Sequence, residues 1–175
     1  MHPRLHIDFD TAAHPEARVG DNLDAAIMLA KQPDPAFHAV RLDHNMVYAF
    51  TSKALAAEIG DKPDAETLAK QTFLIHTELP DSFVAWKRAL GMPSLASAAI
   101  DHMDSGQLIL EAAANGLGVA IMHDDHFRRS HDNRLAKLFE VEVESPYSYW
   151  FICRPHALEI RAVRIFHDWI AGAGL

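Results

Sequence analysis

Val47-Tyr48-Ala49-Phe50 is an apolar run of strand length, and it passes without a break into Thr51-Ser52, residue types that cap helices. The segment from Lys53 to Ile59 has helical character, and Gly60 stops it. The same step recurs. Thr72-Phe73-Leu74-Ile75-His76 reads as a strand, and a helix is expected from Asp81-Ser82 through Trp86 and Leu90 to a glycine stop at Gly91. Asp104 with Gln107 three positions later forms a capping box. Leu108, Ile109, Ala112 and Ala113 then give a helical apolar face, Asn115-Gly116 ends it, and Val119-Ala120-Ile121-Met122 follows as a buried strand. Strands alternating with amphipathic helices predict an α/β fold.

The flanking segments extend the pattern. Leu5-His6-Ile7-Asp8-Phe9 alternates like a half-buried strand, and the nearly continuous apolar run from Leu23 to Leu29 suits a strand covered on both faces. A short helix is expected after Pro63-Asp64, and a short strand near Ala99-Ile100. Tyr149 to Cys153 reads as a strand broken by Pro155. A closing helix presents Leu158, Ala162, Val163, Phe166, Trp169 and Ile170 on one face. Two strand-helix groups joined near Phe50 and again near Cys153 predict two lobes with a hinge and a cleft between them.

Several functions are disfavoured. The 16 basic residues are outnumbered by 24 acidic ones and are spread along the chain, giving a net charge of −8, so the chain alone is a poor partner for nucleic acid phosphates. No apolar run is long enough to span a membrane and the start lacks a signal-peptide core, so a cytoplasmic location is expected. The single cysteine, Cys153, sits in an apolar strand and reads as an inert buried thiol. No nucleophile elbow, Walker loop or dinucleotide glycine motif is present; Gly116-Leu117-Gly118 follows a helix instead of opening one. No catalytic residue and no cofactor is assigned.

Histidine and helix starts remain as sources of a site. His123-Asp124-Asp125-His126, with His131 nearby, has the residue types of a metal site. It follows a strand where a solvated polar loop is expected, and no metal is assigned. Asp104-Ser105-Gly106 offers a helix start whose backbone amides and dipole favour an anion. Thr51-Ser52 is a second such start, and a small carboxylate held between the two is the expectation if they face each other.

Taken in order, further motifs resemble the effector-binding domains of LysR-type transcriptional regulators. They are Gly20-Asp21-Asn22-Leu23-Asp24-Ala25-Ala26-Ile27, Pro33-Asp34-Pro35, Val40-Arg41-Leu42, the Val47–Leu55 step, Trp86, Leu90-Gly91, Asp104-Ser105-Gly106, Gly116-Leu117-Gly118-Val119-Ala120 and Phe166-His167-Asp168-Trp169-Ile170. The chain is similar in particular to the branch that includes activators of glycine cleavage and of beta-lactamase. The resemblance implies a fold like type 2 periplasmic binding proteins: a first lobe of residues 1–50 and 156–175, truncated at its N-terminal side, and a second lobe of residues 51–155. It implies an effector between the lobes, near Met28, Ala30, Thr51, Ser52, His76, Asp104, Ser105, Gly106 and His123. Met28 and Ala30 stand where this branch commonly has Arg and Gly. It further implies a homodimer or tetramer, and DNA contact only through a helix-turn-helix absent from this chain. The alternatives are an exported solute-binding protein of the same fold and a small metal-dependent enzyme built on the His-rich segment.

Overall fold

A computed structural model describes residues 5–12, 14–62 and 64–173. Along the chain run β1 (Ala25–Ala30), β2 (His38–Arg41), β3 (Met46–Ser52), α1 (Lys53–Ile59), α2 (Ala65–Ala69), β4 (Thr72–His76), α3 (Pro80–Ala89) and β5 (Ala99–Met103). There follow α4 (Gly106–Ala114), β6 (Val119–His123), α5 (Asp124–Ser130), β7 (Leu135–Glu144), β8 (Ser148–Cys153) and α6 (Arg161–Ala171). They fall into two compact units, one holding the described residues up to His44 and from Tyr147 onward, the other those from Asn45 to Pro146. The division places β8 with β1 and β2, to which it is hydrogen-bonded. No described helix is long and apolar enough to cross a membrane.

The larger unit is a five-stranded sheet in the order β5-β4-β6-β3-β7. β4 runs parallel to β5 and β6, and β3 is antiparallel to both β6 and β7. Alternation along each strand builds two cores. Val47, Ala49, Phe73, Ile75, Val119 and Ile121 face one side, with Phe83 and Trp86 of α3. Tyr48, Phe50, Leu74, Ala120 and Met122 face the other, with Ile109, Leu110 and Ala113 of α4. A bulge opposite Val47–Ala49 puts Phe139 in the left-handed region at φ 66°, and both Leu138 and Phe139 join the α3-side core. Gly118 is needed where β6 begins, because a Cβ there would lie 2.4 Å from the Thr72 carbonyl oxygen.

The smaller unit is an antiparallel sheet of order β1-β8-β2. Phe151 and Cys153 of its central strand pack with Val163 and Ile170 of α6.

The strand-helix steps at Phe50–Gly60, Thr72–Gly91 and Asp104–Met122 form as expected, with local corrections. Leu5–Phe9 is not a strand; Phe9 is 84% exposed. β1 starts at Ala25, not Leu23, and is not covered on both faces, since Ile27 is 43% exposed. α3 starts at Pro80, whose missing N–H costs nothing in a first turn. The cap of α4 is Ser105, not Asp104: its Oγ accepts from the Leu108 N–H at 3.5 Å. The segment after His123 is a helix, α5, rather than a loop, and β7 was not anticipated. On α6 the buried face narrows to Val163 and Ile170, with Trp169 63% exposed. Pro63 lies outside the described residues, while α2 forms just after it with the Asp64 carboxylate as its cap.

Candidate functional site

Parallel strands with crossover helices bring their carboxyl ends, and the starts of the following helices, to one edge of a sheet. Here β4 ends at His76, β5 at Met103 and β6 at His123, and α3, α4 and α5 begin just beyond them. β4 and β6 are neighbours, yet the chain leaves β4 towards β5 and leaves β6 towards β7 on the far side of β3. Adjacent strands whose connections diverge open a crevice at their carboxyl ends, the usual place for a ligand in such sheets. His76 and His123 are the last residues of these two strands.

The His76 ring is half-buried, and its Nδ1 accepts from the Glu78 N–H at 3.2 Å, which leaves the proton of the neutral ring on Nε2. The ring is held by the turn that leads into α3, where the Leu79 N–H reaches the His76 carbonyl at 3.0 Å.

His123 is 1% exposed. Its Nε2 lies 2.8 Å from the Ser145 Oγ, while its Nδ1 is buried without a hydrogen-bond partner. Burial pushes its pKa down to about 4; the nearby Asp125 carboxylate opposes this, and His126 and His76 reinforce it. The ring is therefore neutral near pH 7. A buried unpaired nitrogen is costly, and such atoms gather at functional positions.

Ser105 is half-buried at the α4 cap, with Asp104 exposed beside it. Gly106 follows, and a Cβ there would sit 2.9 Å from Met122 Cε and 3.4 Å from the His126 ring. The bare glycine lets α4 start close against the end of β6. The His123 and His126 rings are 6.4 Å apart. Among the expected site residues, the structure thus brings together His76, Asp104, Ser105, Gly106 and His123.

It does not bring Thr51 and Ser52 to them. β3 is antiparallel to β6, with Val47 opposite His123 and Phe50 opposite Ala120, so Thr51 and Ser52 lie at the other edge of the sheet. A strand of this length separates the two edges by roughly 13 Å. The fully buried Thr51 Oγ1 donates to the Gly118 carbonyl at 2.9 Å, and the Ser52 Oγ accepts from the Leu55 N–H at 3.2 Å as the α1 cap. Met28 and Ala30 belong to β1 in the smaller unit. Both are half-buried, Met28 lies opposite Trp150, and the Ala30 carbonyl accepts from Trp150 Nε1 at 3.0 Å.

His126 and Ser145 were not singled out as ligand contacts from sequence. Asp124 and Asp125 placed four before Arg128 and Arg129 were a readable sign of a helix, and both i,i+4 ion pairs form. No sequence pattern pairs Ser145 with His123 across 22 positions.

The edge offers the Ser105 hydroxyl, the half-buried His76 imidazole and a helix start, a set suited to hydrogen-bonding a polar or anionic molecule. Cys153 is fully buried and burial raises its pKa, so it is not a ready thiolate. Among the described residues no three His, Cys, Asp or Glu side chains gather as a metal site. Two grooves of about 380 and 290 Å³ lie in the smaller unit instead, lined by Ile7, Phe9, Leu23, Ala25 and Phe166 together with Asp8 and Asp10. Their carboxylates and apolar walls disfavour an anion, and the strand edge has the better chemistry.

The sequence profile described as "LysR substrate binding domain" matches residues 1–174. Curated protein sequences give no match. Among solved structures, the AmpR effector binding domain of Citrobacter freundii is 24% identical, with a TM-score of 0.73 over 97% of this chain and 78% of that one. The AmpR effector domain of Pseudomonas aeruginosa is 24% identical, with a TM-score of 0.72 over 91% and 74%. The CcmR regulatory domain of Synechocystis, solved in complex with 2-PG, is 13% identical, with a TM-score of 0.66 over 91% and 77%.

Proposed function

The chain belongs to the LysR substrate binding domain family, and from that premise we propose that it senses a small, anionic metabolite at the carboxyl edge of β4, β5 and β6. A ligand-sensing regulatory domain is what the family membership establishes. The finer reading assigns the effector contacts to His76, Asp104, Ser105, Gly106 and His123. One observation carries it: His76 and His123 end the two neighbouring strands whose connections diverge, with the Ser105-capped start of α4 at the same edge. Ser105 and the first amides of α4 supply donors to an anion, and the His76 ring orients it, with the buried His123 behind. Thr51 and Ser52 are assigned structural roles instead. Met28 and Ala30, also expected as contacts, belong to β1 of the smaller unit.

The 2-PG held by the CcmR regulatory domain is a small-molecule precedent within the fold. The chain itself is read as having no catalytic function and no cofactor. It acts in the cytoplasm as part of a homodimer or tetramer, with DNA bound by a helix-turn-helix in the full-length regulator. The effector works by binding one conformation better than another, and a coupling of about 1–3 kcal/mol to DNA binding is typical. Family membership disfavours the exported solute-binding reading and the metalloenzyme reading.

The test is a melting-shift screen of small carboxylates and phosphate esters, followed by titration of the best compound. Binding by wild type and by Thr51→Val, with at least about ten-fold weaker binding by Ser105→Ala and His76→Gln, is expected from lost charge-assisted hydrogen bonds. Unchanged affinity in both edge variants would overturn the placement.

A further inference from the structure

His38 on β2 and His167 on α6 are 129 positions apart, yet their Nε2 atoms lie 3.1 Å from each other. The ring centroids are 5.1 Å apart and the planes are tilted by 55°. His167 Nδ1 lies 2.9 Å from the Asp168 Oδ1. A carboxylate only accepts, so that contact puts the His167 proton on Nδ1 and leaves a lone pair on Nε2. His38 must then hold its proton on Nε2 and donate it to His167. The His167 ring also meets Phe151 edge-on at 5.3 Å, which fixes its plane.

Two imidazole nitrogens that converge from separate elements, one oriented from behind by a carboxylate, are an arrangement found at metal sites. We propose that His38 and His167 form a two-imidazole site for a late first-row divalent metal ion, with Asp168 as the residue that positions His167. At a metal–nitrogen distance of about 2.1 Å, nitrogens 3.1 Å apart subtend about 95°. Neutral imidazole is a ligand that late first-row ions such as Ni²⁺, Cu²⁺ and Zn²⁺ all accept. Binding requires His38 to change tautomer, its proton leaving Nε2 while Nδ1 gains one from solvent, with no net proton release from the neutral pair. The His167 side chain is 19% exposed and His38 is half-buried, which leaves a path for the ion and its waters. No third His, Cys, Asp or Glu joins the pair in a metal-binding group among the described residues, so water fills the remaining positions. Cys153 is directly opposite His38 in the sheet, but it is buried and its thiol is held protonated.

The experiment uses the untagged full chain and Ni²⁺ at about pH 8, where imidazole is neutral. Calorimetry on wild type is expected to give one saturable equivalent. His38→Gln and His167→Gln are each expected to abolish it, and Asp168→Asn to weaken it about ten-fold. His6→Gln, on an exposed ring remote in sequence, is expected to leave it unchanged. Wild-type imidazole NMR gives a readout independent of any variant: at substoichiometric Ni²⁺ the His38 and His167 ring signals should respond before the other histidines. Response of other rings first, the absence of a saturable equivalent, or wild-type affinity in both histidine variants would overturn the proposal.

Discussion

His123 carries a pH dependence because it is buried as a neutral ring. Its folded pKa, about 4, is below the ordinary value of 6.5, so between those values the unfolded chain takes up a proton that the folded one refuses. The contribution is complete above pH 6.5, is lost as the pH falls towards 4, and amounts to about 3 kcal/mol over that window. Urea unfolding of wild type should therefore weaken with acid more steeply than that of His123→Gln; parallel pH profiles would refute the burial argument. Thr51 is the opposite case, a polar group fully satisfied inside. Thr51→Val leaves the Gly118 carbonyl without its donor, and a loss of about 1–3 kcal/mol is expected by denaturant titration. A hydroxyl serving a ligand at the surface would give almost no loss. Sequence placed Thr51 in the site because a hydroxyl before a helix reads the same whether it faces a ligand or a neighbouring carbonyl. The distinction depends on the antiparallel pairing of β3 with β6, which no local pattern encodes.

Helix ends were the most legible elements, because glycine and hydroxyl residues act there through local backbone geometry. Gly60 and Gly116 stop α1 and α4 at φ 84° and 77°, and Ser52 caps as read. The cap of α4 was misplaced by one residue since Asp104 and Ser105 are both good caps, and packing of Gly106 against Met122 decides between them. β7 was missed although Phe139 to Glu144 alternates apolar residues with acids as a strand does, because the bulge at Phe139 breaks that alternation from the stretch Leu135 to Leu138. Two glycines now separate packing from function. Gly118→Ala drives a Cβ into the Thr72 carbonyl, backbone that cannot yield cheaply, and should lower stability by about 3 kcal/mol or more. Gly106→Ala meets the flexible end of Met122 and should cost under about 1.5 kcal/mol, while disturbing the start of α4 against His126. Thermal melts rank the two, and a larger loss for Gly106→Ala would contradict the packing described.

In each unit the central strands are covered and an edge strand is not; in the larger unit that edge is β5, whose Ile100 is 43% exposed. In the larger one β3 and β6 are central, with helices on both faces, and Val47, Ala49, Phe50, Val119 and Ala120 have no exposure at all. In the smaller one β8 is central and its Phe151, Ile152 and Cys153 are fully buried, but β1 is an edge strand whose Ile27 is 43% exposed. Phe9, Ile160 and Trp169 add exposed apolar surface to the same unit. Apolar area removed from water is the main source of stability, and local opening is easiest where least of it is buried. The apolar runs at Val47 and at Val119 announced one well-covered sheet. The apolar run near Ile27 announced a second, because a sequence shows that residues are apolar but not that a layer exists to cover them. Amide hydrogen exchange separates the cases strand by strand. The amides of β6 and of the inner part of β3 should exchange most slowly, β8 should be intermediate, and β1 should exchange at least about ten-fold faster than β6. Equal protection of β1 and β6 would mean that the outer face of β1 is covered in solution, and oligomeric state measured on the same sample would then show whether a second copy covers it.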